Sequence, residues 1–248
     1  MAAMGPAFLA LWNDVDPARD AEYDCWHTFE HVPERVGIAG FLAGRRYSAR
    51  ERTDARYFTL YALQDLGALA GPEYAAVVDQ PTAWSRTMRP ALRNFQRDPC
   101  ATLLTLGSGD GGCIATFRII AGRAQNASDL RALRSALEPH LESSGVVSMH
   151  LGQADADAAF PRRSASPAEP ADAGARHVLL VEGLARGALD AVAPQIVESV
   201  SRCLAPVRPV ICSTYDLAFA IERAQLRHPT TQRQPARPEL NRLWLPAY

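Results

Sequence analysis

The sequence predicts an α+β fold in which a βαββαβ order of elements occurs twice, and three observations carry that prediction. Short apolar runs bounded by Gly, Pro and Asp alternate with longer segments of helical periodicity. The glycine-rich GSGDGG at 107–112 divides the chain into two stretches of comparable length with the same apparent order of elements. The 248 residues are enough to bury a proper core without staples, as one large domain or two small ones.

Residues 8–12 form an apolar strand-like run, and Asp16-Pro17 then supplies an N-cap and a residue suited to the first helical turn. A helix is expected over 18–31, interrupted by Pro33, with one further turn closed by Gly37. Strands over 41–49 and 56–63 flank the turn-prone, charged 50–55 as a hairpin. A helical region over 66–89 is broken by Gly71-Pro72 and Pro81, and a strand over 101–106 ends this half. The second half repeats the order with a strand over 113–120, a helix over 128–142 and a strand over 146–152. A strand over 177–183, a helix over 187–203 and a strand over 210–221 follow.

These elements define halves at 1–106 and 113–222 joined by the linker 107–112, each ferredoxin-like in its βαββαβ order. Residues 154–175, rich in Ala, Pro and Asp, read as a mobile insertion, and 223–248 as a tail rich in Arg, Gln and Pro. The last six residues, 243–248, are apolar enough to require a surface to dock on, either the chain's own body or a neighbour's. The alternation in 56–63 and 210–221 is apolar on both faces, so each half must bury the uncovered face of its sheet against the other. The apolar end of the tail leaves room for a homodimer.

Lys plus Arg total 26 against 27 Asp plus Glu, a formal charge of −1 with no long single-sign run, which argues against nucleic acid or anionic membrane as partner. Cys25, Cys100, Cys113, Cys203 and Cys212 are odd in number and never spaced C-x-x-C, which speaks against a disulfide framework and a thiolate zinc site and for a reducing, cytoplasmic compartment. The N-terminal apolar run lacks a basic flank and meets Asp14 and Asp16, so it reads as a strand rather than a leader. No apolar stretch approaches the ~20 residues of a membrane-spanning helix.

The best candidate site is the polar helix over 27–35. On a helical wheel Cys25, Trp26, Phe29, Val32, Pro33 and Val36 share a side that should pack on the sheet. Beside it His27, Glu30, His31 and Glu34 fall at i, i+3, i+4 and i+7, stacking two imidazoles and two carboxylates along a strip suited to a cleft edge. His31, at the last turn before Pro33, has the helix dipole and a nearby Glu to favour its cation, placing its pKa near working pH for proton transfer. The alternative is a solvated helix face with exposed pairs of little energetic weight. The string His27-Thr28-Phe29-Glu30-His31 also matches H-x-x-E-H, an inverted zinc-protease motif. The match is short, no third ligand is identifiable, and Pro33 breaks the helix that should hold the second. GSGDGG matches G-x-G-x-x-G, but a strand rather than a helix follows it, so it is a linker. Arg45 and Arg46, adjacent on a strand, should point one to the core face and one to solvent, so that one anchors an anionic group or pairs with the helix carboxylates.

The run Trp26-His27-x-x-Glu30-His31-x-Pro33-Glu34-Arg35, followed by Gly40-Phe41-x-x-Gly44-Arg45-Arg46-Tyr47, resembles the EthD-like branch of the dimeric α+β barrel superfamily. The likeness extends through Tyr57 to Leu63 and Pro81-Thr82-x-Trp84, over nearly all of the first half, and His31 matches the recurring histidine. The resemblance implies ferredoxin-like units whose sheets pair face to face into a barrel, which two halves of one chain form internally. It also implies a pocket between sheet and helices, and small-molecule chemistry in cofactor-independent isomerases, decarboxylases, polyketide cyclases and monooxygenases. The second half has Glu138-Pro139-His140 but no histidine-x-proline end, so a second working site is not expected. Haem enzymes of the dye-decolourising peroxidase and chlorite dismutase type share the tandem architecture. Residues 107–111 spell a peroxidase's G-x-x-D-G, which leaves haem, with His177 as ligand, a minor alternative.

The expectation is therefore an enzyme without metal or organic cofactor, acting on a small organic acid, lactone or phenol by isomerisation, cyclisation or decarboxylation. His31 is its base or acid, oriented by Glu30 or His27; Arg45 or Arg46 holds an anionic group; Trp26, Tyr47, Tyr61 and Trp84 are aromatic walls. A non-catalytic metabolite-binding or structural protein of the same fold is the alternative.

Overall fold

The computed structural model describes residues 4–49, 54–123, 125–141, 145–155, 174–226 and 233–244. Strands β1 (Ala7–Val15), β2 (Phe41–Ser48), β3 (Tyr57–Leu63) and β4 (Leu92–Gly107) come first, and β5 (Cys113–Ala121), β6 (Val146–Ala154), β7 (Ala175–Gly183) and β8 (Ile211–Glu222) follow. All eight close into one antiparallel barrel in the order β1-β3-β2-β8-β5-β7-β6-β4, with β4 paired back to β1. The first four strands thus run 4-1-3-2 and the last four 8-5-7-6, the same pattern, joined by β2 to β8 and by β4 to β6. The inner faces of the two sheets do pack on each other across the lumen, and in addition the strands meet edge to edge, where the N–H and C=O groups of β2 and β4 find partners on β8 and β6.

The helices lie on the outside. α1 (Asp20–Trp26) and α2 (Val32–Val36) form one rod through the turn His27–His31, and α3 (Pro72–Asp79) and α4 (Ala83–Met88) flank them. α5 (Ala127–Leu137) and α6 (Arg186–Leu204) cover β5 to β7, and the short α7 (Pro238–Asn241) lies against α1. Alternation along each strand separates two cores. Under α5 and α6, Leu133, Leu137, Leu189, Ile196 and Val200 pack on Phe117, Leu179 and Val181. Inside the barrel, Phe8, Trp12, Tyr47, Phe58, Val178, Leu180 and Tyr215 fill the lumen. A crevice there lined by Met4, Ala43, Arg45, Leu60 and Ala62 has no room for a water molecule.

Three further expectations change. β4 begins at Leu92 rather than 101, because its polar residues from Arg93 to Asp98 pair with β1 while their side chains stay partly exposed. β8 is more open than its sequence suggests, with Ile211 43% exposed. In the tail, Leu243 is 71% exposed and Trp244 38%, so docking is done by residues before them; 245–248 lie outside the described residues, as do 156–173 of the expected insertion. The five cysteines are all unbridged. Among the described residues no helix is long and apolar enough to cross a membrane.

Candidate functional site

Pro33 does not interrupt the first helix. It has no N–H for the carbonyl of Phe29, and the turn before it widens to a π-turn in which the Val32 amide bonds to His27 O, five residues back. The extra residue rotates the helix faces relative to a regular wheel. Phe29, expected on the sheet, is 50% exposed, while His27, Glu30 and Glu34, expected at a cleft edge, are buried with Trp26, Val32 and Val36. The backbone of β2 approaches this rod closely, since a Cβ on Gly44 would sit 2.6 Å from Val32 Cγ1 and 3.1 Å from the ring of Tyr61.

The buried turn is a stack of rings. Tyr23 lies 4.9 Å from His27 and His27 5.0 Å from His31, each pair 18° from parallel, and Trp26 tilts over His31 at 4.4 Å. Tyr23 donates to Asn13 Oδ1 at 3.1 Å, and burial pushes its phenol up to about 12. The Nδ1 atoms of His27 and His31 and the hydroxyl of Tyr61 are buried without a hydrogen-bond partner. Each such atom costs about 1–3 kcal/mol. Both imidazoles are held well below their usual pKa, first by burial and then by cations: Arg46 and Arg35 at His27, and Arg35, the His27 ring, Arg89 and Arg46 at His31. This corrects the expectation of a His31 poised near working pH. The rod continues to Val36, so the helix C-terminus is a full turn further on, and cations rather than a carboxylate face the ring.

Glu30 does not orient His31. Its carboxylate accepts from Thr82 Oγ1 and from the Arg237 amide at 2.9 Å, while Glu34 accepts from Arg35 at 2.8 Å and Arg233 Nε at 2.8 Å. With both Glu30 oxygens engaged away from the imidazoles, the H-x-x-E-H zinc arrangement is not formed, and no group of three or more ligating side chains occurs among the described residues. Trp26 donates to Ser85 Oγ at 3.2 Å and Trp84 to Glu22 Oε1 at 3.0 Å, so both indoles tie α1 to α4, and only Trp26 also touches the histidines. Arg46, on the helix side, binds the Asp24 carboxylate at 2.7 Å and the Thr28 hydroxyl, with its guanidinium 5.4 Å from the Tyr23 ring. Neither arginine meets solvent as expected, because each found a carboxylate on its own side of the sheet. Tyr23, Arg35 and Arg89 belong to this nest but were missed as site residues. Arg35 lies in the recognised motif; nothing local marks Arg89.

Arg45 and Tyr47 point the other way, into the barrel, which separates them from Tyr61, Trp26 and the histidines. Arg45 bonds Glu182 Oε1 at 2.9 Å and Asp110 Oδ1 at 2.6 Å, and Glu182 also accepts from the Gly111 amide at 2.8 Å. A side chain at Gly111 would fall 2.4 Å from Gly183 O, so glycine lets the linker come close enough to make that bond. Burial pushes Glu182 up to about 7, against the pull of Arg45 and the amide. His150, bonded to Thr105 at 3.2 Å, is lowered to about 4 by burial and Arg45. His177 Nδ1 lies 3.1 Å from Ala175 O, and the face of β7 it shares with Leu179 and Val181 is filled by α5 and α6, so the residues there do not fit a haem.

The sequence matches no family model and no curated protein sequence. The fold is shared with solved structures: an anthrone oxidase-like protein aligns over 93% of this chain and 95% of its own at TM-score 0.62 and 12% identity. A candidate monooxygenase from Lactobacillus acidophilus NCFM aligns over 88% and 96% at 0.52 and 12%. A candidate monooxygenase from Fusobacterium nucleatum aligns over 88% and 95% at 0.53 and 10%. At these identities the likeness establishes the fold, an α+β barrel.

Proposed function

We propose that this chain is a small-molecule enzyme whose site is the nest around His27 and His31, acting by proton transfer without metal or organic cofactor. The observation that supports it is that three of the buried atoms without a hydrogen-bond partner, His27 Nδ1, His31 Nδ1 and Tyr61 OH, gather on the helix side of the sheet. A fold retains such groups at a cost when something else uses them. A neutral imidazole carries a lone pair that can take a proton. The cations that keep His31 neutral would stabilise an enolate or phenolate, and an anion beside the ring would raise its pKa back toward working pH. In this reading His31 is the base, His27 holds its ring by stacking, Trp26 and Tyr61 are walls, and Arg35 and Arg46 supply the field. The solved neighbours named as oxidase-like or candidate monooxygenases support small-molecule chemistry on this fold. The repeated 4-1-3-2 order supports reading 1–106 and 113–222 as duplicated halves about the 107–112 linker, in a cytoplasmic protein that forms its barrel alone and dimerises, if at all, outside it.

The test is turnover across a panel of small organic acids, lactones and phenols. Once a substrate is found, His31→Ala should cost about 10²–10⁴ in kcat, and full turnover would end the assignment. The non-catalytic reading is favoured by one observation: the rings around His31 are packed on one another, and the recess of about 380 Å3 lined by His140, Ala188, Ala191, Val192 and Gln195 lies elsewhere. Ligand binding unaffected in affinity by His31→Ala, with no turnover of any panel member, would decide for it.

A further inference from the structure

The tail lies along the nest, in which His27 is buried and His31 half-buried. Four contacts help hold 233–244 to the site helix and its surroundings. Arg233 donates from Nε to Glu34 Oε1 at 2.8 Å and from Nη2 to Gln80 O at 2.7 Å; the Arg237 amide donates to Glu30 Oε2 at 2.9 Å; and Leu240 packs on the cluster of Val15, Tyr23 and Trp26. Glu30 and Glu34 stand immediately before and three residues after His31, so the tail crosses the helix at the candidate base. We infer that 233–244 is a strap that must lift for a small molecule to reach the buried Nδ1 of His31, an inference that rests on the site reading above.

The chemistry of the contacts suits a strap better than a fixed element. Beside Leu240 and the buried Gln234 and Asn241, the named contacts are hydrogen bonds and an ion pair, and Leu243 and Trp244 beyond them are exposed. A segment held this way opens far below the free energy of global unfolding. The two buried carboxylates also keep a partner in either state: with the strap lifted, Glu30 retains Thr82 and Glu34 retains Arg35. Opening therefore leaves no stranded charge, the usual penalty for breaking a buried pair. The bonds change hands at the residues flanking His31, so the position of the strap is coupled to access to that ring.

The experiment uses the full chain and diethyl pyrocarbonate, which acylates neutral imidazole, with modification rates at each histidine followed by peptide mass spectrometry. His27 and His31 share one tryptic peptide, separable by fragmentation, and His150 inside the barrel is the internal control. In the native chain His27 and His31 should react slowly. Arg233→Ala, which removes the ion pair, should raise their rate roughly fivefold, with His150 unchanged. A chain ending at Gln232 should raise it further. Unchanged rates at His31 in Arg233→Ala would overturn the strap, as would a parallel rise at His150, which would mean general loosening. If the truncated chain does not fold, Arg233→Ala decides alone. Should Arg233→Ala expose His31 while His31→Ala retains turnover, the strap stands and the catalytic reading falls.

Discussion

The two faces of strand β2 carry two polar clusters built to opposite rules. Inside the barrel, Arg45 meets two carboxylates, and one of those takes a backbone amide as well. Outside it, the two histidines and Tyr61 leave polar atoms buried with nothing to bond. Both clusters are buried, and the Tyr47 hydroxyl inside the barrel is also without a hydrogen-bond partner, so the difference lies in the ionisable groups: Arg45 and Glu182 are paired, and the two imidazoles are not. A paired buried cluster ties three distant segments, β2, the 107–112 linker and β7, into one barrel end, and its loss should be a loss of stability. An unpaired cluster stabilises nothing by itself, and its loss should appear in what the protein does.

The sharpest break of that comparison is Arg45→Ala, which strands Glu182 and Asp110 and should cost about 3–5 kcal/mol in urea unfolding. A loss under about 1 kcal/mol would put the inner cluster in the same class as the outer one. The pH dependence separates Glu182 from the histidines next, because their slopes oppose. Glu182 titrates at about 7 in the folded chain against 4.5 for an ordinary carboxyl, so the folded state holds its proton longer and stability falls as pH rises through that window, by on the order of 1–3 kcal/mol. His27, His31 and His150 are depressed below 6.5, so the unfolded state binds protons the folded state refuses, and stability falls as pH drops below 6.5. Stability should therefore peak near the histidine value, Glu182→Gln should flatten the alkaline side, and replacing His27 should flatten the acid side. A profile whose acid limb ignores His27 would show the ring to be solvated. Smallest is the effect of His27→Phe on unfolding at neutral pH, expected within about 1 kcal/mol of zero because a ring is kept and the buried Nδ1 has no partner to lose. A cost of 3 kcal/mol or more would reveal a bond the nest depends on.

The strands were legible because apolar alternation and glycine and proline punctuation survive in sequence, and most boundaries fall within two residues of expectation. The first part of β4 has no apolar alternation to announce it, with Arg93, Gln96 and Asp98 polar, and pairing with β1 is what makes it a strand. The site residues were legible as a group of polar positions on one helix, but not the face they occupy. A π-turn is a tertiary compromise around Pro33, and a wheel drawn at 3.6 residues per turn puts Phe29 in and the histidines at the rim. Arg45 and Arg46 were correctly sent to opposite faces. What the sequence could not convey was that Glu182, far along the chain, waits inside for one, and Asp24 outside for the other.

Closure by β2 to β8 and β4 to β6 has a kinetic consequence. Ala43 pairs with Glu222, so one join spans most of the chain and cannot form until nearly all of it has been synthesised. Until then the edge of β2 stands open, a template for another chain's strand. Pairings this remote in sequence make for slow folding and exposed intermediates. Refolding yield should accordingly fall with protein concentration, and a nascent chain stalled before β8 is the species most in need of a chaperone.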